Sequence, residues 1–267
     1  MQLSGNLIKM RSEAADPIHY YLALGDVEID MNSLLGKEIT MKHNGVINCI
    51  NCGKKTNKSY SQGFCYNCFL TAPEADESVI RPELSKAHLG IARDMEWAKE
   101  HDLIDHFVYL SVTSDLKVGV TRHTQIPTRW IDQGAVKAIK LARTPNRHIA
   151  GVIEVFLKRF VADKTQWQAM LKGNINTNID LLAEKVRLVD KLPGELRKYV
   201  EPDSSVSIFT YPEWSKTESI NSVGFDSTPE ITGRLAAIKG QYLIFDDGRV
   251  INIRKHNGYF IDFETAV

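Results

Sequence analysis

The chain carries no net charge, since 33 lysines and arginines offset 33 aspartates and glutamates over 267 residues. Whole-molecule electrostatics therefore announce neither a nucleic acid nor a membrane, and charge has to be read locally. No apolar run reaches the roughly 18 residues of a transmembrane helix. The start, from Met1 through Leu3, Leu7 and Ile8 to Arg11, has no continuous apolar core of a signal peptide and reads as mature protein. There is no glycine-rich phosphate loop, no nucleophile elbow and no HExxH. Tandem repeats and low-complexity tracts are absent as well. Cysteine is scarce, four in all and confined to positions 49 to 68, which is unlike an extracellular disulfide framework. A cytoplasmic protein with no membrane association is the expectation.

What is present supports a sizeable core. Hydrophobic residues make up 43% of the chain, and the length suits two or three domains. Residues 1–72 show short β-type runs, such as His19 to Leu24 and Val27 to Met31. Residues 73–105 turn acidic, with nine Asp/Glu against four Lys/Arg from position 74, and Leu84 to Trp97 shows helical spacing. A solvated helical connector is expected there.

Residues 106–190 read as a separate α+β module. His106 to Val112 and Lys117 to Thr121 flank the turn residues Thr113-Ser114-Asp115, a hairpin pattern. A short helix is expected from Pro127 to Gln133, a strand from Ala135 to Ala142, and a longer helix from Asn146 to Val161. That helix places Ile149, Val152, Ile153, Phe156 and Phe160 on one face. Another helix is expected after Asp163, and one more over Asn178 to Val189. Residues 200–267 are β-rich. The turns Asp246-Asp247-Gly248 and Asn257-Gly258 predict a meander over Tyr242 to Phe263.

The cysteines carry the sharpest signal. Cys49-x2-Cys52 and Cys65-x2-Cys68 are separated by twelve residues, the spacing of a zinc ribbon over 46–70. Each pair sits on a tight turn that can present two thiolates to one metal, and Gly53 permits the turn that aims backbone N–H groups at sulfur. Four sulfur ligands leave no open position, so the metal is structural. Iron instead of zinc, two disulfides and free thiols are the alternatives. Around the ribbon Lys54, Lys55 and Lys58 with Tyr60, Phe64 and Tyr66 suggest a basic, aromatic nucleic-acid surface; a solvated loop with packed aromatics is the plainer reading.

Residues 106–166 resemble the GIY-YIG nuclease superfamily. Phe107-Val108-Tyr109 stands at its first signature tripeptide and Lys117-Val118-Gly119 at its second. Arg129 follows on the next helix, Glu154 on the later one, and Gln166 takes the place of a usual asparagine. The resemblance implies a small sheet flanked by helices and a phosphodiesterase dependent on Mg²⁺ or Mn²⁺. Glu154 would hold the metal, Arg129 would clamp phosphate, and Tyr109 would orient water, with Lys117, Arg122 and Gln166 near the substrate. Nine Lys/Arg against three Asp/Glu over 112–160 agree with a phosphate-binding module. Lys117, where a second tyrosine is usual, loses or alters that tyrosine's role.

Each of these residues also has a plain structural reading. Glu154 can pair with Lys158 one turn on, Gln166 can form a capping box with Asp163, and Tyr109 can simply pack. Gly119 can relieve a close contact, and Arg129 can stack on Trp130. His88, His101 and His106 lack ligand spacing and read as satisfied histidines.

At full length the sequence resembles an uncharacterised bacterial family of unknown function. The segments Lys58 to Tyr66, Lys117 to Arg122, Thr128 to Ala135 and Lys239 to Ile244 carry that likeness. Many of its members have further cysteines in a second cluster, where this chain has Ala75, Ser78, Ser85, Ala92 and Asp102. The expectation is thus an α+β protein that binds DNA or RNA, with the phosphodiesterase implied by resemblance. The alternative is a non-catalytic nucleic-acid-binding or adaptor protein with a structural zinc.

Overall fold

The structure is a computed structural model that describes residues 1–161, 164, 166–216 and 219–266. Asp163, the expected start of a helix and partner of Gln166, lies outside the described residues. The fold is mixed α and β, in two compact units: Met1–Leu70 with Thr210–Val267, and Thr71–Phe209.

The first unit is built on an eight-stranded sheet. Gln2–Asn6 pairs with Tyr259–Thr265, which pairs with the long strand Glu38–Asn48. That strand pairs with Glu230–Lys239, and Tyr242–Phe245, Arg249–Asn252 and Asn221–Val223 complete the order. Glu230–Lys239, Tyr242–Phe245 and Arg249–Asn252 form the C-terminal meander. Tyr259–Thr265 leaves the meander and inserts between two N-terminal strands. Ladder register explains why. Met41 stands opposite Ile231 on one side and Phe263 on the other, and all three are fully buried. Strand alternation thus puts one apolar file under the sheet. A smaller antiparallel sheet of Arg11–Glu13, His19–Leu24 and Val27–Asp30 contributes Tyr20 and Leu22 to the buried residues.

Glu38–Asn48 leads into the cysteine segment. Its end pairs with Lys55–Thr56 through Ile47↔Thr56 and Asn48↔Lys55, a short hairpin whose tip is the first Cys-x2-Cys turn.

The second unit holds a four-stranded antiparallel sheet in the order Val206–Ile208, Lys137–Thr144, His106–Val112, Leu116–Arg122. Every residue of His106–Val112 is buried, as suits an inner strand with a nearly continuous apolar sequence. The expected hairpin is present, with Tyr109 directly opposite Gly119. On the other side of this strand the ladder slips between Val108 and Tyr109.

Helix Arg147–Leu157 starts at Asn146, whose side chain accepts from the Ile149 amide. Its buried face is Ala150, Ile153 and Leu157, joined in one core to Val108, Leu110, Val118 and Ile139. This is rotated from the expected face: Val152 and Phe160 are exposed. A close approach on another side of the helix accounts for the rotation. A Cβ on Gly151 would lie 2.1 Å from the Glu83 nitrogen, so the turn Pro82–Leu84 packs directly on the helix backbone.

The helical spacing of Leu84 to Trp97 does not yield one helix. Short 3-10 turns at Pro82–Leu84 and Ala87–Leu89 precede a single α-helix, Met95–His101. Gly90 stops the second turn in a left-handed conformation, and the Asp94 side chain caps the helix through the Trp97 amide.

Candidate functional site

The four cysteine sulfurs gather at one point, all within 4.8 Å of one another. Tetrahedral zinc thiolates, with bonds of about 2.3 Å, space their sulfurs about 3.8 Å apart. Cys52 and Cys65 sulfurs are 3.9 Å apart, and no disulfide links any of the four. The sulfurs are therefore close enough to hold one metal ion such as zinc, and among the described residues they form the one cluster able to do so.

Local backbone builds this site. Gly53 takes φ +71° and donates its amide to the Cys49 carbonyl, closing the first turn. The second pair stands at the start of helix Tyr66–Thr71, on which Cys68 is buried. Asn51, inside the first turn, donates its side-chain amide to the Cys68 sulfur at 3.3 Å. The cysteine spacing does not imply this contact, although an asparagine between two cysteines is its visible trace.

Proton affinities in the cluster are split. Burial pushes the Cys49 thiol up, but backbone N–H groups of Cys65, Cys52 and Asn51 outweigh it and bring Cys49 to about 6. At Cys68 the Asn51 contact favours the thiolate, yet burial and the neighbouring cysteines raise it to about 12. One sulfur is thus ready to ionise while another holds its proton until a cation arrives.

The segment that carries the cysteines is basic and aromatic. Lys54, Lys55 and Lys58 are exposed, and residues 46–70 contain no Asp or Glu. Tyr66 is 55% exposed, Tyr60 lies 5.4 Å from it, and Phe69 stacks on the Tyr60 ring at 5.9 Å. Phe64, by contrast, is buried.

In the second unit Tyr109 is fully buried and its hydroxyl donates to the Gln133 side chain at 2.8 Å. Burial raises its pKa, Arg129 and Glu154 act on it with opposite charge, and hydrogen bonds with Arg129 and Gln133 lower it. Tyr109, Arg129 and Glu154 are therefore brought together. Gly119 leaves room for this ring: a Cβ there would lie 2.6 Å from the Tyr109 hydroxyl. Trp130 meets Tyr109 edge-on at 5.9 Å. Glu154 is 8% exposed and also faces Lys158 at 3.5 Å.

The other expected substrate contacts lie differently. Lys117 is buried opposite Ser111, Arg122 is half-buried beside Arg147 and Asp102, and Gln166 is exposed just before helix Trp167–Leu171, without a side-chain cap bond. His88 stacks on His148, and His101 stacks on Trp97. His106 is buried with one ring nitrogen on the Ile104 carbonyl, and burial lowers it to about 4.

Sequence reading did not find the group formed by Ser85, Asp102 and Arg147. The Ser85 hydroxyl donates to Asp102 at 2.9 Å, and the Arg147 guanidinium touches the same carboxylate at 2.7 Å. Ser78, Ser85, Ala92 and Asp102 line one cavity of about 330 Å³. Four of the five positions at which the family resemblance places further cysteines thus converge, and here they are filled by serine, alanine and aspartate. Among the described residues no helix is long and apolar enough to cross a membrane.

No curated protein and no solved structure matches the chain. Residues 36–261 match DUF2797, a family of proteins of unknown function, and with most of its length so matched the chain belongs to that family.

Proposed function

We propose that this is a nucleic-acid-binding protein whose binding surface is ordered by one structural zinc ion held by Cys49, Cys52, Cys65 and Cys68. The observation that carries this reading is the charge and exposure of the ribbon: three exposed lysines, no acid over 46–70, and an exposed aromatic beside them. Lysines on a small element can meet successive phosphates with no acid of their own segment to repel them. With four thiolates the metal has no position left for a substrate, so its part is to fix the turns.

Lys54, Lys55 and Lys58 together changed to glutamine should weaken binding of mixed DNA and RNA oligonucleotides. The slope of log affinity against log salt should shrink by about 2, as expected at roughly 0.7–0.9 for each phosphate no longer neutralised. An unchanged slope would remove the ribbon from the binding surface.

A second reading, a phosphodiesterase of GIY-YIG type, is favoured by the grouping of Tyr109, Arg129 and Glu154 beside a slip in the β-ladder, a feature common near active sites. In it Arg129 binds the scissile phosphate and Glu154 holds Mg²⁺ or Mn²⁺, which would supply charge to the leaving oxygen. The donor set fits such an ion poorly. It offers one carboxylate, nearly buried and already facing Lys158, and the Tyr109 hydroxyl is engaged with Gln133. The expected outcome of a cleavage assay with either ion is therefore binding without cleavage, in wild type and Glu154→Gln alike. Cleavage by wild type that is lost in Glu154→Gln would establish the second reading in its place.

A further inference from the structure

We infer that the ribbon binds single-stranded nucleic acid by stacking an unpaired base on Tyr66, with Tyr60 and Phe69 as the aromatic support beside it. The inference rests on the nucleic-acid reading above and narrows its substrate. Lysines alone would serve any polyanion, because phosphates look alike on single and double strands. The rings add a different demand. In a duplex, base faces are covered by their neighbours; only an unpaired base can lay its face on an aromatic side chain.

The geometry of the rings suits that use. Tyr66 and Phe69 stand three residues apart on helix Tyr66–Thr71, so both project from one side of it. Tyr60 reaches them from the preceding loop, which is pinned by paired backbone hydrogen bonds between Tyr60 and Phe64 at 2.9 Å each way. Phe69 and Tyr60 are half-buried and stacked on each other, which leaves Tyr66, 55% exposed, as the outermost ring. Cys65 and Cys68 flank it in the sequence, so the metal site presents this ring. Lys58 sits 5.3 Å from the Tyr60 ring centre, a cation beside an aromatic face. That is the pairing a nucleotide needs, one group for its phosphate and one for its base. Leu70, four residues on from Tyr66 in the same helix, is exposed as well.

The test uses the whole, zinc-loaded chain and fluorescence anisotropy with labelled single-stranded DNA, single-stranded RNA and a DNA hairpin duplex of equal charge. Single strands should bind on the order of tenfold more tightly than the duplex. Tyr66→Ala should weaken single-strand binding by about tenfold and leave duplex binding nearly unchanged, the size seen for one stacked base. Tyr66→Phe, which keeps the ring, should restore it, and zinc content should match wild type in both variants. Equal affinity for duplex and single strand, or no effect of Tyr66→Ala, overturns the stacking inference while leaving nucleic-acid binding intact. Failure to bind any of the three probes overturns the nucleic-acid reading itself, and the inference with it.

Discussion

Serine in place of Cys52 or Cys65 is expected to remove stoichiometric zinc and loosen the whole segment 46–70. Metal analysis of the gel-filtered protein should fall from about one zinc per chain to near none, since a structural zinc site is closed by all four ligands. The effect should be large because zinc binding in such small elements supplies their folding free energy, about 10–16 kcal/mol in isolated zinc-finger peptides. Apolar burial cannot replace it here. Of the residues between Val46 and Leu70, only Ile47, Phe64, Cys49 and Cys68 are buried side chains of any hydrophobic size. Stoichiometric zinc retained by either variant would sink the assignment. Acid provides an independent arm. Cys49, held at about 6, is a thiolate above that pH and takes up a proton below it. Zinc affinity should therefore decline as pH falls and drop more steeply below about 6. Binding at neutral pH should release protons, because Cys68 lies near 12 without metal.

The four-cysteine cluster was legible because its chemistry is local: two turns, fixed spacing, and a glycine where the first turn needs φ above zero. The hairpin His106–Val112 and Leu116–Arg122 was legible for the same reason, and so was the helix capped by Asn146. Pairings between distant segments were not. Gln2–Asn6 lies beside Tyr259–Thr265, with partners such as Leu3 and Phe263 separated by most of the chain. Alternating hydrophobicity fixes which face of a strand is buried but not which strand lies next to it. The segment 73–105 misled for a different reason. Its acid count suggested a solvated helix, whereas Pro82 and Gly90 break it into short turns before one short helix, and Ala75, Ser78, Ser85 and Asp102 are buried. Charge totals describe a segment's average, and a single buried carboxylate is invisible in them. In the second unit Arg129 and Glu154 were named only through the superfamily resemblance. The enclosure of Tyr109 could not, because it depends on Gln133 and on Trp130 packed edge-on against it.

That single carboxylate makes the second large prediction. Asp102→Asn should destabilise the unit Thr71–Phe209 by about 3–5 kcal/mol, lowering its apparent melting temperature by roughly 10 °C or more. The reasoning starts from burial: the Arg147 and Asp102 side chains are only 11% and 6% exposed. Their contact at 2.7 Å is Coulombic more than directional, because the Arg147 Nε and Asp102 Oδ1 lie close without hydrogen-bond alignment. Burial lowers the proton affinity of Arg147 and Asp102 raises it, so the carboxylate is what keeps this guanidinium comfortable as a cation. Arg122 and Arg129 press on it with like charge. Neutralising Asp102 leaves Arg147 with one hydrogen bond, to the Ser78 carbonyl, and with only the weaker pull of Asp76 against the like charges. An amide also loses one of the two oxygens that now serve Ser85 and Arg147. Removing both charges should hurt far less. Asp102→Leu combined with Arg147→Met exchanges the pair for apolar groups, and such exchanges are often near neutral. Differential scanning calorimetry of the single and double variants decides the matter. If Asp102→Asn melts within about 2 °C of wild type, a shift worth less than roughly 1 kcal/mol, the pair is not the electrostatic support inferred from its burial. If the double variant is as unstable as the single, the loss comes from packing around the cavity and not from an orphaned charge.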